Sequence, residues 1–244
     1  MFPLIAGRAT TEGFRRTAFR GTGFFISTQG LALTAAHVVD LTSQPDQLRA
    51  ALPESGGSSP MKAAEILWSV RLPQSDIAVI RVGVPSSQCF LSRFDKVVNC
   101  EDVETTGLPQ SMFESDGFGA TRVDIRCARG YVSHTRGNSI AASFSLPKGM
   151  SGAPLIRNSA DEDFVVGVFV GQTRGEEIED LVEETTESGP GGTHVRVERV
   201  ARVEYFARGE LLQPFADFAA GEFGGLTLSK LIASETSLTR ALRR

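Results

Sequence analysis

No apolar run in this chain is long. The longest, about Phe164 to Val170, is broken by Gly167 and falls well short of the roughly 20 residues needed to cross a bilayer. The other apolar stretches are shorter still and end at turn residues, drawn from 25 glycines and 11 prolines. Short runs punctuated in this way read as strands rather than helices, so the expected fold class is all-β. Candidate strands are Gly23 to Ser27, Leu31 to Thr34, Gln47 to Ala51, Ala63 to Val70, Ile77 to Val82, Val103 to Gly107, Arg122 to Ser133, Ser139 to Ser145, Pro154 to Arg157, Phe164 to Gly171 and Thr193 to Val203. Thr193 to Glu198 alternates with period two, as a strand with one wet face should. Beyond Tyr205 the pattern turns helical, with Leu228, Leu231, Ile232, Leu238 and Leu242 near one face. That stripe packs back onto the body of the protein or docks a partner.

Composition removes several functions. The net charge is −4 and no basic cluster is interleaved with aromatics, which gives nucleic-acid binding no support. Gly21-Thr22-Gly23-Phe24-Phe25-Ile26 lacks the third glycine of a dinucleotide fingerprint. Cys89, Cys100 and Cys127 are odd in number and lack zinc-type spacing, so no metal and no cofactor is expected. Met1 to Gly7 is too short an apolar stretch for a secretory signal and has no leading basic region. The expected location is a reducing cytoplasm, with no membrane contact.

Chemistry concentrates in three segments. In Lys148-Gly149-Met150-Ser151-Gly152-Ala153-Pro154 a serine stands between glycines ahead of an apolar strand. Glycine permits a sharp backbone turn there and leaves space for a substrate, which is how a nucleophilic hydroxyl is presented. Leu31-Ala32-Leu33-Thr34-Ala35-Ala36-His37 ends an apolar run on a histidine. Ser75-Asp76-Ile77-Ala78-Val79-Ile80 opens another on an acid. Taken singly, His37 reads as a core or helix-end histidine, Asp76 as a turn acid and Ser151 as a loop serine. His134 and His194 have no comparable context.

In order and in kind, these segments resemble the trypsin-like, chymotrypsin-fold serine peptidases, compact bacterial type, over about Gly21 to Val203. The resemblance implies two six-stranded antiparallel β-barrels with a C-terminal helical segment: barrel one over about 14–83, a connection over 84–100, barrel two over 101–205, and an extension over 206–244 packed on the second barrel. It implies a catalytic triad of His37, Asp76 and Ser151 at the seam, with the Gly149 and Ser151 N–H groups as the oxyanion hole and Lys148 at its rim. Ser145 falls at the floor of the primary specificity pocket, which argues against a preference for Arg or Lys. Phe169, Val170, Gly171 and Gln172 would form one wall, and Gly192 and His194 the other. Gly171 and Gly192 leave room for a large apolar side chain, whereas His194 keeps glutamate open.

The expected function is therefore a serine endopeptidase acting on protein or peptide through an acyl-enzyme, intracellular and regulated, with an activating protein partner left open. The alternative is a catalytically silent fold serving as scaffold or binding module. Met150 stands where zymogen-activated relatives carry an acid that pairs with a newly cut N-terminus, so that switch is not expected. Seven acids between Arg174 and Gly192 (Glu176, Glu177, Glu179, Asp180, Glu183, Glu184, Glu187) read as a solvated loop or as an acidic lip beside the pocket.

Overall fold

Strand-forming runs that end on glycine or a polar turn close here into two antiparallel barrels. The computed structural model describes residues 1–11, 13–40, 47–52, 61–111, 125–158, 162–189 and 192–242. The surface turn expected over Pro53 to Pro60 lies outside them, as does the start of the strand expected from Arg122. Barrel one comprises β1 (Phe2–Thr10), β2 (Gly13–Phe25), β3 (Leu31–Ala35), β4 (Gln47–Leu52), β5 (Lys62–Arg71) and β6 (Ile77–Val82). Their spatial order is β1-β2-β3-β6-β5-β4, and the sheet closes where Leu4 of β1 faces Ala50 of β4. The four-residue helix α1 (Ala36–Val39) follows β3 directly.

Barrel two comprises β7 (Asp102–Gly107), β8 (Arg126–Arg136), β9 (Ser139–Ala142), β10 (Ala153–Arg157), β11 (Phe164–Gly189) and β12 (Gly192–Leu211). The order is β10-β11-β12-β9-β8-β7, closed by β7 on β10 through Ile156 opposite Glu104. The chain between the barrels touches both: Phe90 N–H donates to Phe25 O and Arg93 N–H to Val165 O.

Burial explains which strands lack alternation. Every residue of β3 and nearly every residue of β6 is buried, because one face lines the barrel and the other is covered. A strand covered on both faces reads as a continuous apolar run. In β5, by contrast, exposed and covered positions roughly alternate. Phe2, Leu4, Phe24, Leu31, Leu33, Ile77 and Ile80, drawn from both faces of these strands, belong to one buried apolar cluster, each contributing about 1.5–3 kcal/mol by removal from water.

Four expectations change. Barrel one starts at Phe2 rather than near residue 14: β1 pairs along β2, with Phe2 opposite Gly23, and its unalternating Phe2-Pro3-Leu4-Ile5 start carried no period-two signal. The acidic run from Arg174 continues the strand β11 as a ribbon with β12, placing Val182 opposite Arg199 and Thr185 opposite Arg196. Acids are depleted in strands, which masked it. Residues 206–211 complete β12 and belong to barrel two, not to the extension.

The fourth change concerns helix α2 (Leu228–Leu242), whose polar anchors lie on barrel one rather than barrel two. Leu228, Leu231 and Ile232 join an apolar cluster that holds barrel-one residues together with Ile156, Val165, Val168 and Val170 of barrel two, and the Phe223 and Trp68 rings lie 6.0 Å apart. The buried Glu235 accepts from Ser27 Oγ at 2.6 Å and is paired with Arg81. The helical periodicity gives no hint of these partners, because they lie on strands far away in sequence. The side chains of Leu238 and Leu242 lie outside those described.

Candidate active site

The segment that delivers His37 is buried throughout β3 and then turns into α1, whose first N–H groups need acceptors. Asp76 supplies them from the start of β6. Ala36 N–H donates to Asp76 O at 2.7 Å and His37 N–H to Asp76 Oδ1 at 2.9 Å. The other carboxylate oxygen, Oδ2, meets His37 Nδ1 at 2.7 Å. An ionised carboxylate can only accept, so Nδ1 carries the proton and the Nε2 lone pair is left as a base. Burial opposes ionisation of Asp76. The hydrogen bonds and charge of His37, with Arg208 beyond, outweigh it and hold the carboxyl below its ordinary value.

Ser151 is brought to the same place by barrel two. Gly149 and Gly152 have φ of 97° and 91°, a region that L side chains rarely adopt. A Cβ on Gly152 would lie 2.0 Å from Thr22 O, 2.4 Å from Thr34 Oγ1 and 3.1 Å from Ala35 N, so this backbone is pressed onto barrel one two residues before His37. Thr22 N–H donates to Ser151 O at 2.8 Å. A Cβ on Gly21 would sit 2.7 Å from both Ser151 O and the Val38 side chain, which makes Gly21 the spacer between the serine and α1. Among the described residues the Ser151 hydroxyl has one partner, Val170 O at 3.5 Å, a contact at the limit of a hydrogen bond.

The loop before the serine is anchored by an apolar side chain. Met150 is fully buried in the barrel-two core, against Gly107. Gln110 N–H donates to Lys148 O at 2.8 Å and Thr22 Oγ1 to Gly149 O at 3.2 Å. A trans peptide points its N–H opposite to its C=O, so the Gly149 N–H faces away from Gln110. Met150 N–H is used by Pro147 O and Gly152 N–H by Phe169 O. Among the described residues, the Gly149 and Ser151 N–H groups are left without a protein acceptor. Two such donors flanking a buried residue can bind a developing oxyanion.

A family profile described as the trypsin-like peptidase domain matches residues 21–168. The chain belongs to that family. No curated protein matches it. Among solved structures it is similar to mouse neuropsin, a serine protease expressed in the limbic system of the brain. The identity is 11% and the TM-score 0.52, over 87% of this chain and 90% of that one. At that identity the likeness establishes the fold alone. The profile ends before most of the β11–β12 ribbon and before α2.

Within this trypsin-like domain, the residues expected to form the specificity pocket separate. Ser145 and Lys148 are exposed, so Ser145 does not floor an enclosed pocket. Phe169 is buried in the barrel-two core with its ring 5.5 Å from Phe144; its side chain forms core rather than wall. Val170 is also buried, and its carbonyl is what reaches Ser151. Gly171 is half-buried with free space around it, and the Gln172 amide donates to Leu146 O, bridging the 145–148 and 171–172 segments.

Gly192 and His194 do not form the second wall. They pair with Gly189 and Glu187 at the tip of the ribbon, while Gly171 and Gln172 face Arg208 and Ala207. The loop expected over 174–192 is instead part of a long hairpin, so the residues that face Gly171 and Gln172 lie further along the chain. The sequence also gave no sign of Ser75, Arg208 and Glu210, which with His37 and Asp76 line an open cavity of about 530 Å³. No motif surrounds Arg208-Gly209-Glu210, and only the register of β12 brings it to the seam.

Proposed function

We propose that this trypsin-like domain is a serine endopeptidase that cleaves peptide bonds through an acyl-enzyme on Ser151. The observation that carries the reading is the two-point bond from Asp76 to His37, at 2.9 and 2.7 Å, which leaves Nε2 basic, while Thr22 N–H holds the Ser151 carbonyl against barrel one at 2.8 Å. In the reaction His37 Nε2 takes the Ser151 proton as the Oγ–C bond forms. The carbonyl oxygen becomes negative and receives the Gly149 and Ser151 N–H groups, a donor of this kind contributing about 3 kcal/mol to the transition state. Collapse breaks the C–N bond and the leaving amine takes the proton from His37. A water molecule then repeats the sequence on the acyl-enzyme and frees Ser151.

Apolar anchoring of Met150 supports a loop that stands without an ion pair to a cut N-terminus, and so control by something other than trimming. Three free cysteines support a reducing, intracellular setting. The test is a fluorophosphonate probe, which reports an activated serine whatever the substrate preference. Labelling at Ser151 that vanishes in His37→Ala supports the peptidase. A folded chain that is never labelled is the catalytically silent alternative.

A further inference from the structure

The acid of barrel one is held by an acid of barrel two. Glu210 on β12 is buried, and its Oε2 accepts from Asp76 N–H at 2.7 Å and from Ser75 Oγ at 2.7 Å. Ser75 Oγ in turn accepts from Ile77 N–H at 3.1 Å. The Asp76 backbone is therefore held on both sides of its Cα, by Ala36 N–H on its carbonyl and by Glu210 on its N–H. A second carboxylate this close to Asp76 is unfavourable for the pair. Arg208 offsets the cost, with Nη2 3.9 Å from both Asp76 Oδ2 and Glu210 Oε1.

The turn that Glu210 grips is strained. Gln74, a residue with a Cβ, has φ of 53°, and such a conformation persists only where neighbouring contacts over-determine it. Arg71 adds a long bond from Nε to Ser75 O at 3.4 Å and is itself paired with Asp40. On the other side, Arg20 donates to the carbonyls of His37 and Asp40. The contacts from Glu210, at 2.7 Å to both Ser75 Oγ and Asp76 N–H, are much shorter than the one from Arg71 and are the ones that reach this turn from barrel two.

We propose that Glu210, neutralised by Arg208, is a positioning residue that holds Asp76 in register with His37 across the seam between the barrels. Its effect on Ser151 rests on the peptidase reading; its effect on the His37 to Asp76 bond does not. Released from Glu210, the strained turn relaxes, the Asp76 carboxylate shifts and the imidazole loses its fixed orientation. A displacement on the order of 1 Å in such a group lowers rate about 100-fold.

The test compares Glu210→Ala and Glu210→Gln with wild type by two readouts: the NMR signal of the His37 Nδ1 proton, assigned by its absence in His37→Ala, and the rate of fluorophosphonate labelling. Glu210→Ala should shift or broaden the Nδ1 signal and slow labelling about 100-fold. Glu210→Gln keeps an acceptor for Asp76 N–H and Ser75 Oγ and should recover most of both. A folded Glu210→Ala chain with an unmoved Nδ1 signal overturns the proposal, as does a glutamine variant as impaired as the alanine one. If Glu210→Ala does not fold, Ser75→Ala removes one of the two bonds to the carboxylate and should move the signal in the same direction; an unmoved signal there counts against the proposal. If wild type is not labelled, the peptidase reading fails, and the Nδ1 signal alone still decides the positioning role.

Discussion

Replacing Gly152 with alanine should uncouple the two barrels at the nucleophile. The added Cβ would stand 2.0 Å from Thr22 O, 2.4 Å from Thr34 Oγ1 and 3.1 Å from Ala35 N, and two of those three atoms are backbone that cannot rotate away. At φ of 91° the alanine also bears a strain of about 1–3 kcal/mol. Relief of the clash requires the loop to lift, which breaks the bond from Thr22 N–H to Ser151 O at 2.8 Å and disturbs that from Thr34 Oγ1 to Thr22 O at 2.7 Å. Each is worth about 1 kcal/mol, and overpacking adds about 1–3 kcal/mol. The total is about 4–8 kcal/mol, a large part of a domain's stability. Urea unfolding followed by fluorescence measures it, with Gly171→Ala as the control. Gly171 has nothing within 4 Å of an added Cβ and no positive φ, so its variant should lie within about 0.5 kcal/mol of wild type. Equal stability of the two variants would refute the claim that Gly152 is the pressed contact between the barrels.

The depressed Asp76 carboxyl gives a stability term with a definite sign: the unfolded chain binds a proton at the ordinary 3.8 that the folded chain does not yet bind. The contribution is complete above that pH and is lost as pH falls through the lower folded value. Asp76→Asn should therefore be less stable than wild type at neutral pH, with the gap closing in acid, and thermal melts from pH 7 to pH 3 check it. A gap that stayed constant would show that ionised Asp76 is not the source. Glu235→Ala strips Ser27 Oγ and Arg81 of a shared buried acceptor. Losing one member of a buried pair costs about 3 kcal/mol, and early amide exchange in α2 and β6 should accompany that loss. Early exchange in barrel two instead would contradict the anchoring of the helix on barrel one.

The sequence was most legible where the backbone chemistry is local. Leu31–Ala35 and Ile77–Val82 form strands within a residue of the expectation, since short buried apolar runs that begin after a glycine or a polar turn have few other ways to fold. His37, Asp76 and Ser151 could be singled out because each lies at the end or start of such a run. What stayed hidden depends on register between distant segments. The length of the β11–β12 ribbon decides that Ala207 and Arg208, not Gly192 and His194, face Gln172 and Gly171. In the same way Glu210 becomes a neighbour of Asp76, and Glu235 of Ser27 and Arg81, only after both barrels have closed. Local pattern carries none of this.

The most direct test of the account is the pre-steady-state reaction with p-nitrophenyl acetate, read by nitrophenol release and by mass spectrometry of the trapped protein. A serine peptidase of this design releases a burst of about one nitrophenol per chain, with the acetyl group on Ser151, and Ser151→Ala abolishes the burst. Linear release with no burst, or an acetyl group found on another residue, would contradict it.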